Sequence, residues 1–322
     1  MTEAPYQKLT GRLFLELIRL PVKLASAMPF ALGVLYAWYD QRGFNGVNTL
    51  IYFVGQLSIA CFVTGFNNVQ DYYKSKDEHY RQKGNIIGTD HLNPRRVMAL
   101  MLALLAVAVL AGLILVWRTN LVLLLIGGAA IGIAIFYTFG PMPISRLPIG
   151  EVVSGVTEGF GTFFIAYFVN VPNRPLALDL SWQSFSLYGS VPVLAKLVLV
   201  AAPIIILDGN IMFANNIGDI QEDITNHRAT MAVYLGHDRA LAIYRWVPVA
   251  AYAAIIAAVF LHVMPLATLL VLLLWPLIHR NIARFLQVQV RRLTFKTAVN
   301  NLLLTAGAEV LVLAGWLVWQ QV

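Results

Sequence analysis

The chain has 322 residues, of which 59% are hydrophobic and only 12% are charged, and its formal net charge is +7. Soluble domains carry about 25% charged residues, so this composition excludes an ordinary soluble domain and predicts a protein of the lipid bilayer. The single cysteine, Cys61, excludes a framework of disulfide bonds.

Runs of roughly 17–25 apolar residues predict membrane-spanning helices. Nine such runs lie at 20–39, 49–70, 97–117, 120–138, 151–170, 191–214, 244–262, 265–283 and 299–319. We therefore expect an all-α membrane protein with nine transmembrane helices in one bundle, and no change of composition divides residues 1–322 into more than a single domain. The first run lacks the features of a removed signal peptide and is expected to remain as a spanning helix.

The lysines and arginines predict the orientation of this bundle. If the N-terminus is cytoplasmic, most of them fall in cytoplasmic segments, and the outer segments contain only Arg42, Arg118 and Arg174. Such an excess of basic residues is typical of the cytoplasmic side of a membrane protein. The net positive charge is therefore interpreted as a topology signal, and no nucleic-acid partner is expected.

A first polar cluster ends the second apolar run. It begins with Asn67, Asn68 and Asp71, and Asp77 follows six residues later. This last spacing leaves the helical face, so the chain is expected to turn and fold back over the cluster. The connection 72–96 is long and polar, and a loop of this length between membrane helices is more often functional than not.

The middle of the chain carries two Gly-x-x-x-Gly motifs, a spacing that allows close helix packing. One is Gly128 to Gly132 in the fourth run, and the other is Gly155 to Gly159 in the fifth. The fifth run also contains Glu151 and Glu158. Carboxylates inside a membrane usually face a cavity or a partner. The following loop, 171–190, is mixed and aromatic, which predicts a segment at the membrane interface.

A second polar cluster ends the sixth run. Asn215, Asp219 and Asp223 recur every four residues, so on a continuous helix they share one face. Asn216 lies beside them, and Asp208 is about two turns earlier on roughly the same face. Because the second and sixth runs cross in the same direction, both clusters are expected on the cytoplasmic side.

Two clusters of carboxylates and amides fit magnesium ions that bridge one diphosphate, since magnesium is typically held by one or two carboxylates plus substrate phosphates. The predicted metal ligands are Asn67, Asn68, Asp71, Asp77, Asn215, Asp219 and Asp223. The four aspartates among them are the predicted catalytic residues. Lys76, Arg81 and Arg228 are predicted to bind the remaining diphosphate oxygens.

A diphosphate clamped in this way can leave an allylic carbon, and the cation left behind needs dry, aromatic surroundings. Activating the acceptor's hydroxyl needs a base or a nearby cation, and Asp77, Asp208 and Glu151 are candidates that the sequence does not rank. Two other interpretations stay open. The clusters could merely cap helix ends, or the protein could be a transporter whose ion path uses Glu151, Glu158, Asp208 and Glu309.

The two clusters resemble the two aspartate-rich motifs of the UbiA superfamily of intramembrane aromatic prenyltransferases. The second, Asn-Asn-x-x-Asp-x-x-x-Asp followed by Thr230 to Gly236, resembles its 1,4-dihydroxy-2-naphthoate branch. Tyr137-Thr138-x-Gly140 and Gly150-Glu151 also match. The sequence departs from the family's pattern at Asn68, a position that is usually Asp.

The resemblance implies a polyprenyl diphosphate donor, Mg²⁺, and an acceptor, 1,4-dihydroxy-2-naphthoate, that loses its carboxylate on prenylation to give demethylmenaquinol. Another aromatic acceptor, such as 4-hydroxybenzoate, is the alternative. The resemblance and the charge distribution together imply a multi-pass protein of the cell membrane whose active site opens to the cytoplasm.

Overall fold

The structure is a computed structural model that describes residues 6–74, 82, 84–290 and 293–321. The first half of the chain is a series of helices. In chain order these are α1 (Gly11–Leu17), α2 (Leu20–Gln41), α3 (Gly46–Lys74), α4 (Ile86–Thr89), α5 (Pro94–Arg118) and α6 (Val122–Phe136). A 3-10 turn, Ile144–Arg146, follows α6.

The next membrane-sized segment combines three helical forms. It starts as α7 (Gly150–Ser154), widens into a π-helix at Gly155–Gly161 and ends as α8 (Thr162–Phe168). After it come α9 (Val191–Gly218), α10 (Ile220–Thr225), α11 (Met231–Leu235) and α12 (His237–Phe260). A 3-10 segment, Leu266–Leu274, leads into α13 (Trp275–Gln287), and α14 (Phe295–Trp319) completes the bundle.

Within the described residues, six helices are long and apolar enough to cross a membrane. They are Gly46–Tyr73, Pro94–Arg118, Val191–Gly218, His237–Phe260, Leu266–Gln287 and Phe295–Trp319. Each coincides with an apolar run identified in the sequence. The other three expected runs are also helical, as α2, as the shorter apolar helix Val122–Phe136 and as the segment that the π-helix interrupts.

The two Gly-x-x-x-Gly motifs have different environments, so the expectation of close packing is correct for only one of them. A Cβ atom at Gly155 would lie 2.4 Å from the carbonyl oxygen of Ile205 on α9, and one at Gly159 would lie 2.9 Å from the Cα of Ile205. At Gly128 and Gly132, by contrast, a Cβ would have no described atom within 4 Å. The π-helix therefore packs backbone-to-backbone against α9, whereas the glycines of α6 face open space.

The segment 171–190 is more ordered than the sequence suggested. It contains an antiparallel hairpin of β1 (Leu176–Leu180) and β2 (Phe185–Gly189), in which Leu178 pairs with Leu187. The Asn120 side chain accepts a hydrogen bond from the Leu178 backbone, which ties the hairpin to the start of α6. This hairpin is an exception to the expected all-α architecture.

A partly buried ion pair joins α2 and α9 near the hairpin end of the bundle, and Tyr167 of α8 contacts it. Lys196 Nζ lies 2.5 Å from Asp40 Oδ1. The Tyr167 hydroxyl donates a 2.6 Å hydrogen bond to the other oxygen of the same carboxylate. Lys196, the one cation inside the sixth apolar run of the sequence, is thus neutralised where it enters the bundle.

The buried apolar side chains form two clusters. The larger one involves α2, α6, α8, α9 and α12–α14. The smaller one gathers Leu17, Ile87, Leu92 and Met101 around the last turns of α3. The end of α3, where the first polar cluster lies, is therefore held by its own apolar packing against α1, α4 and α5.

Candidate functional site

The second polar cluster is built where α9 ends. The α9 helix stops at Gly218, and Asp219 adopts φ −108° and ψ 11° before α10 begins. The backbone N–H of Asp219 still donates to the carbonyl of Asn215. The Asn215 amide donates a 3.1 Å hydrogen bond to Asp219 Oδ2, so these two predicted ligands are adjacent, as the four-residue spacing predicted.

Asp223 belongs to a more enclosed part of the same cluster. It lies on α10, and its side chain is only 1% exposed. Arg228 Nη1 lies 3.3 Å from Asp223 Oδ1, and the Thr230 hydroxyl donates a 3.1 Å hydrogen bond to Oδ2. Burial raises the pKa of the Asp223 carboxyl above its usual value, while Arg228 and Thr230 act in the opposite direction. Both carboxylate oxygens thus have protein partners.

The first polar cluster lies on the last three turns of α3. Asn67 and Asp71 are partly exposed there, whereas Asn68 is buried at 6% exposure. The Asn68 amide donates a 2.9 Å hydrogen bond to the backbone carbonyl of Leu17, and Asn85 donates to the backbone carbonyl of Asn68. The Asn68 side chain therefore links α1 to α3, and this contact explains why an amide occupies the position.

Three predicted site residues lie outside the described residues. They are Lys76, Asp77 and Arg81. Their placement as a metal ligand and as diphosphate-binding cations stays a prediction from the sequence. Arg228, the third predicted cation, is described and contacts Asp223.

The turn after α6 connects the two clusters. The ring of Phe139 lies 6.4 Å from that of Phe66, which is on α3 just before Asn67. Two residues earlier, the hydroxyl of Tyr137 lies 3.4 Å from the carbonyl oxygen of Gly150 and interacts electrostatically with Asp208 and Arg228. The ends of α3 and α9 therefore lie at the same end of the bundle, with one turn reaching both.

A pair of hydrogen bonds between α7 and α9 forms a wall that the sequence did not reveal. Asn216 donates a 2.8 Å hydrogen bond to Glu151 Oε1, and Ser154 donates a 3.2 Å hydrogen bond to Asp208 Oδ2. Glu151 is buried, and its Oε2 has no hydrogen-bond partner among the described groups. The sequence shows that both acids lie within apolar runs. It does not show which amide or hydroxyl faces each of them.

The donor atoms at these helix ends suit magnesium, which prefers oxygen ligands and needs only one or two carboxylates besides substrate phosphates. Asn215 and Asp219 place an amide and a carboxylate side by side, and Asn67 and Asp71 offer the same side-chain types on α3. Within the searched residues, no group of three or more His, Cys, Asp or Glu side chains is close enough to bind a metal ion. The types of donor present fit a metal that is shared with a phosphorylated ligand.

The fold and the site define a helical membrane protein with two Asn/Asp clusters at one end of its bundle. The chain belongs to the UbiA prenyltransferase family, whose profile matches residues 26–304. It is 28% identical over 242 residues to the 1,4-dihydroxy-2-naphthoate octaprenyltransferase of Bacillus subtilis, an alignment that covers 74% of this chain and 70% of the relative.

Solved structures with the same fold come from archaea. A UbiA homologue from Aeropyrum pernix, solved without ligand, has a TM-score of 0.63 at 17% identity and covers 94% of this chain and 98% of its own. A UbiA homologue from Archaeoglobus fulgidus, solved with DMAPP and Mg²⁺, has a TM-score of 0.56 at 14% identity and covers 94% and 99%. At these identities the likeness establishes the fold.

Proposed function

We propose that this protein transfers a polyprenyl group from polyprenyl diphosphate to 1,4-dihydroxy-2-naphthoate, with loss of the acceptor's carboxylate as CO2. The observation that carries the proposal is the pair of Asn/Asp clusters, on α3 and α9, at one end of a UbiA-family bundle. The name of the Bacillus subtilis relative supports the acceptor. The same family membership favours a transferase over the transporter alternative.

The donor half of the site consists of the two clusters. Mg²⁺ would be held against the diphosphate by Asp71 and Asp219, with Asn67 and Asn215 beside them. Asp77 would be a further ligand of the metal. When bound, Mg²⁺ would offset the negative charge that grows on the diphosphate as it leaves. Arg228 is fixed by its contact with Asp223 and would add a positive charge beside the same group.

The acceptor half would lie against the wall formed by α7 and α9. Glu151 has one carboxylate oxygen held by Asn216 and the other without a described partner. That second oxygen is suited to accept a hydrogen bond or a proton from a hydroxyl of the acceptor. Asp208, held by Ser154, lies about two turns before Asn216 on α9 and is the second candidate.

The bond changes follow from this arrangement. The allylic C–O bond breaks, and the diphosphate leaves with its electron pair. The ring carbon that carries the carboxylate then forms a C–C bond to the allylic carbon. Loss of CO2 from that carbon returns its electron pair to the ring, and the proton that Glu151 accepted returns to the ring oxygen, which gives demethylmenaquinol. Phe66 and Phe139 supply aromatic surfaces beside the first cluster, which would stabilise positive charge on the allylic carbon.

The acceptor is tested with membranes that contain this protein, supplied with Mg²⁺, a polyprenyl diphosphate and either acceptor. We expect 1,4-dihydroxy-2-naphthoate to yield a prenylated naphthoquinol without the carboxylate, measured by mass spectrometry, and an equimolar amount of labelled CO2 from carboxyl-labelled substrate. Faster conversion of 4-hydroxybenzoate, with its carboxylate retained, would show that the acceptor assignment is wrong while prenyl transfer stands.

We further propose that all nine helical segments cross the cell membrane and that the N-terminus and the site face the cytoplasm. The support is the distribution of charge. The end of the bundle that bears the clusters also carries Arg95, Arg96, Arg146, Arg228, Arg239 and Lys296, whereas the hairpin end has few basic residues. An excess of basic residues is typical of the cytoplasmic side.

Single cysteines test this orientation in a background in which Cys61, which is buried, is changed to alanine. Asp238→Cys lies at the start of α12 beside the site, and Trp182→Cys lies at the tip of the hairpin; both side chains are exposed. In intact cells, we expect an impermeant thiol reagent to label Trp182→Cys only, and Asp238→Cys to react once the membrane is opened. The reverse pattern would invert the proposed topology.

A further inference from the structure

A row of polar side chains runs along one face of α14, inside the bundle. Thr297, Asn301, Thr305 and Glu309 recur every fourth residue, and none is more than 4% exposed. At a rise of 1.5 Å per residue the row is about 18 Å long. Four buried polar groups in line, within a helix that is apolar enough to span the membrane, need partners from the neighbouring helices.

Neighbouring helices supply some of those partners. Asn281 on α13 donates a 2.9 Å hydrogen bond to Asn301 Oδ1. The hydroxyl of Tyr252 on α12 lies 3.5 Å from that of Thr305, and Tyr252 also interacts electrostatically with Glu309. These residues, together with the row on α14, are called the polar column below.

The cytoplasmic half of the polar column, as oriented above, also includes Tyr244 of α12 and Asn210 of α9. The Tyr244 hydroxyl lies beside Thr297 and Asn210 and is completely buried. Asn210 is five residues before Asn215, which places the two side chains about 140° apart around α9. The polar column and the Asn/Asp clusters therefore use different sides of α9.

Two polar atoms of the column, Glu309 Oε2 and Asn301 Nδ2, have no hydrogen-bond partner among the described protein groups. The Tyr244 hydroxyl lies close to the Asn210 amide, but neither forms a hydrogen bond of good geometry with a described group. A buried polar group that is left unpaired loses its hydrogen bonds to water without a replacement, which destabilises the folded protein. Since these atoms follow one another along the row on α14, a line of small polar ligands would satisfy them.

A surface cleft lies at the end of the column where α14 begins. A cleft of about 340 Å³ is lined there by Arg284, Gln287, Lys296 and Thr297. Thr297 therefore belongs both to the cleft and to the first level of the column. Successive levels on α14 are about 6 Å apart, a distance that one water molecule bridges with two hydrogen bonds of about 2.8 Å.

We propose that the polar column is a water-binding site, in which a chain of internal water molecules extends from this cleft to the carboxyl of Glu309. Buried water typically makes about three hydrogen bonds to otherwise unsatisfied polar groups, and the donors and acceptors of the column match that requirement. Water as the ligand also explains why a carboxyl is retained inside the bundle away from the clusters. The inference does not depend on the proposed prenyl transfer.

Hydroxyl-radical footprinting tests the column, because radicals formed from bound water by X-rays oxidise side chains that touch it. The full chain is irradiated in lipid nanodiscs, and the oxidation rate of each tyrosine is read by mass spectrometry. Tyr36 is the matched dry reference, since it is completely buried and its hydroxyl donates to the carbonyl of Val263. We expect Tyr244 and Tyr252 to be oxidised several-fold faster than Tyr36. Equal protection of all three would overturn the proposal.

A pair of variants locates the water. Thr305→Val keeps the shape of the side chain and removes one hydroxyl beside Tyr252, so the oxidation rate of Tyr252 should fall. Asn300→Leu changes the neighbouring, exposed face of α14 and should leave the oxidation rate of Tyr252 unchanged. If Thr305→Val, with the elution profile of the unaltered protein, left the Tyr252 rate unchanged, water would not lie in the column.

Discussion

Replacing Asp219 or Asp71 with alanine should abolish prenyl transfer while the protein still folds and inserts. Each carboxylate lies at the end of a long helix that is fixed by contacts elsewhere, so removing it takes away a metal ligand without opening the core. Loss of one group that stabilises the leaving charge typically costs about 10²–10³-fold in turnover. We expect at least that loss, measured as prenylated product per minute from membranes with equal amounts of protein.

The matched control for these variants is Asp238→Ala. Asp238 lies at the same end of the bundle as the clusters and is fully exposed, and its carboxylate lies 3.3 Å from Nδ1 of the adjacent His237. Its replacement should leave turnover unchanged. An excess of chelator should reproduce the effect of the Asp219 variant, and added Mg²⁺ should reverse it. Full activity in chelator would contradict the proposed metal-diphosphate chemistry.

The second large effect is expected at Gly155. A methyl group there would lie 2.4 Å from the carbonyl oxygen of Ile205 and 3.1 Å from the backbone nitrogen of Gly209, and neither backbone can move aside alone. Gly155→Ala should therefore push the π-helix away from α9. Overpacking of this kind typically costs about 1–3 kcal/mol. Because Glu151 and Asp208 meet their partners across the same contact, activity should fall with stability.

Gly128→Ala is the control for this substitution, because the same methyl group would meet no described atom within 4 Å on α6. The midpoint of thermal unfolding in detergent and the rate of prenyl transfer are measured for both variants. Gly155→Ala should lower both values, and Gly128→Ala neither. Equal behaviour of the two variants would show that the close contact with α9 does not organise the site.

Much of this protein follows from its sequence because the relevant signals are local. The length of an apolar run predicts a helix whatever it packs against, and a helix lies over every run identified. The adjacency of Asn215 and Asp219 follows equally from the 3.6-residue period of one helix. The family resemblance carried by the two clusters is confirmed by the match over residues 26–304.

The tertiary structure alone decides how each helix is rotated about its own axis, because the spacing of residues along a single helix does not determine that rotation. The sequence could not show that Asn68 faces Leu17, or that Asn216 meets Glu151. Nor could it separate the two glycine motifs, because close packing requires a second backbone at the right distance, and only the motif of the π-helix has one. The period of Thr297 to Glu309 is visible in the sequence, but the partners that make it a column lie on α9, α12 and α13. Long-range contacts between helices thus decided the geometry of the site, while short-range patterns determined which residues could take part in it.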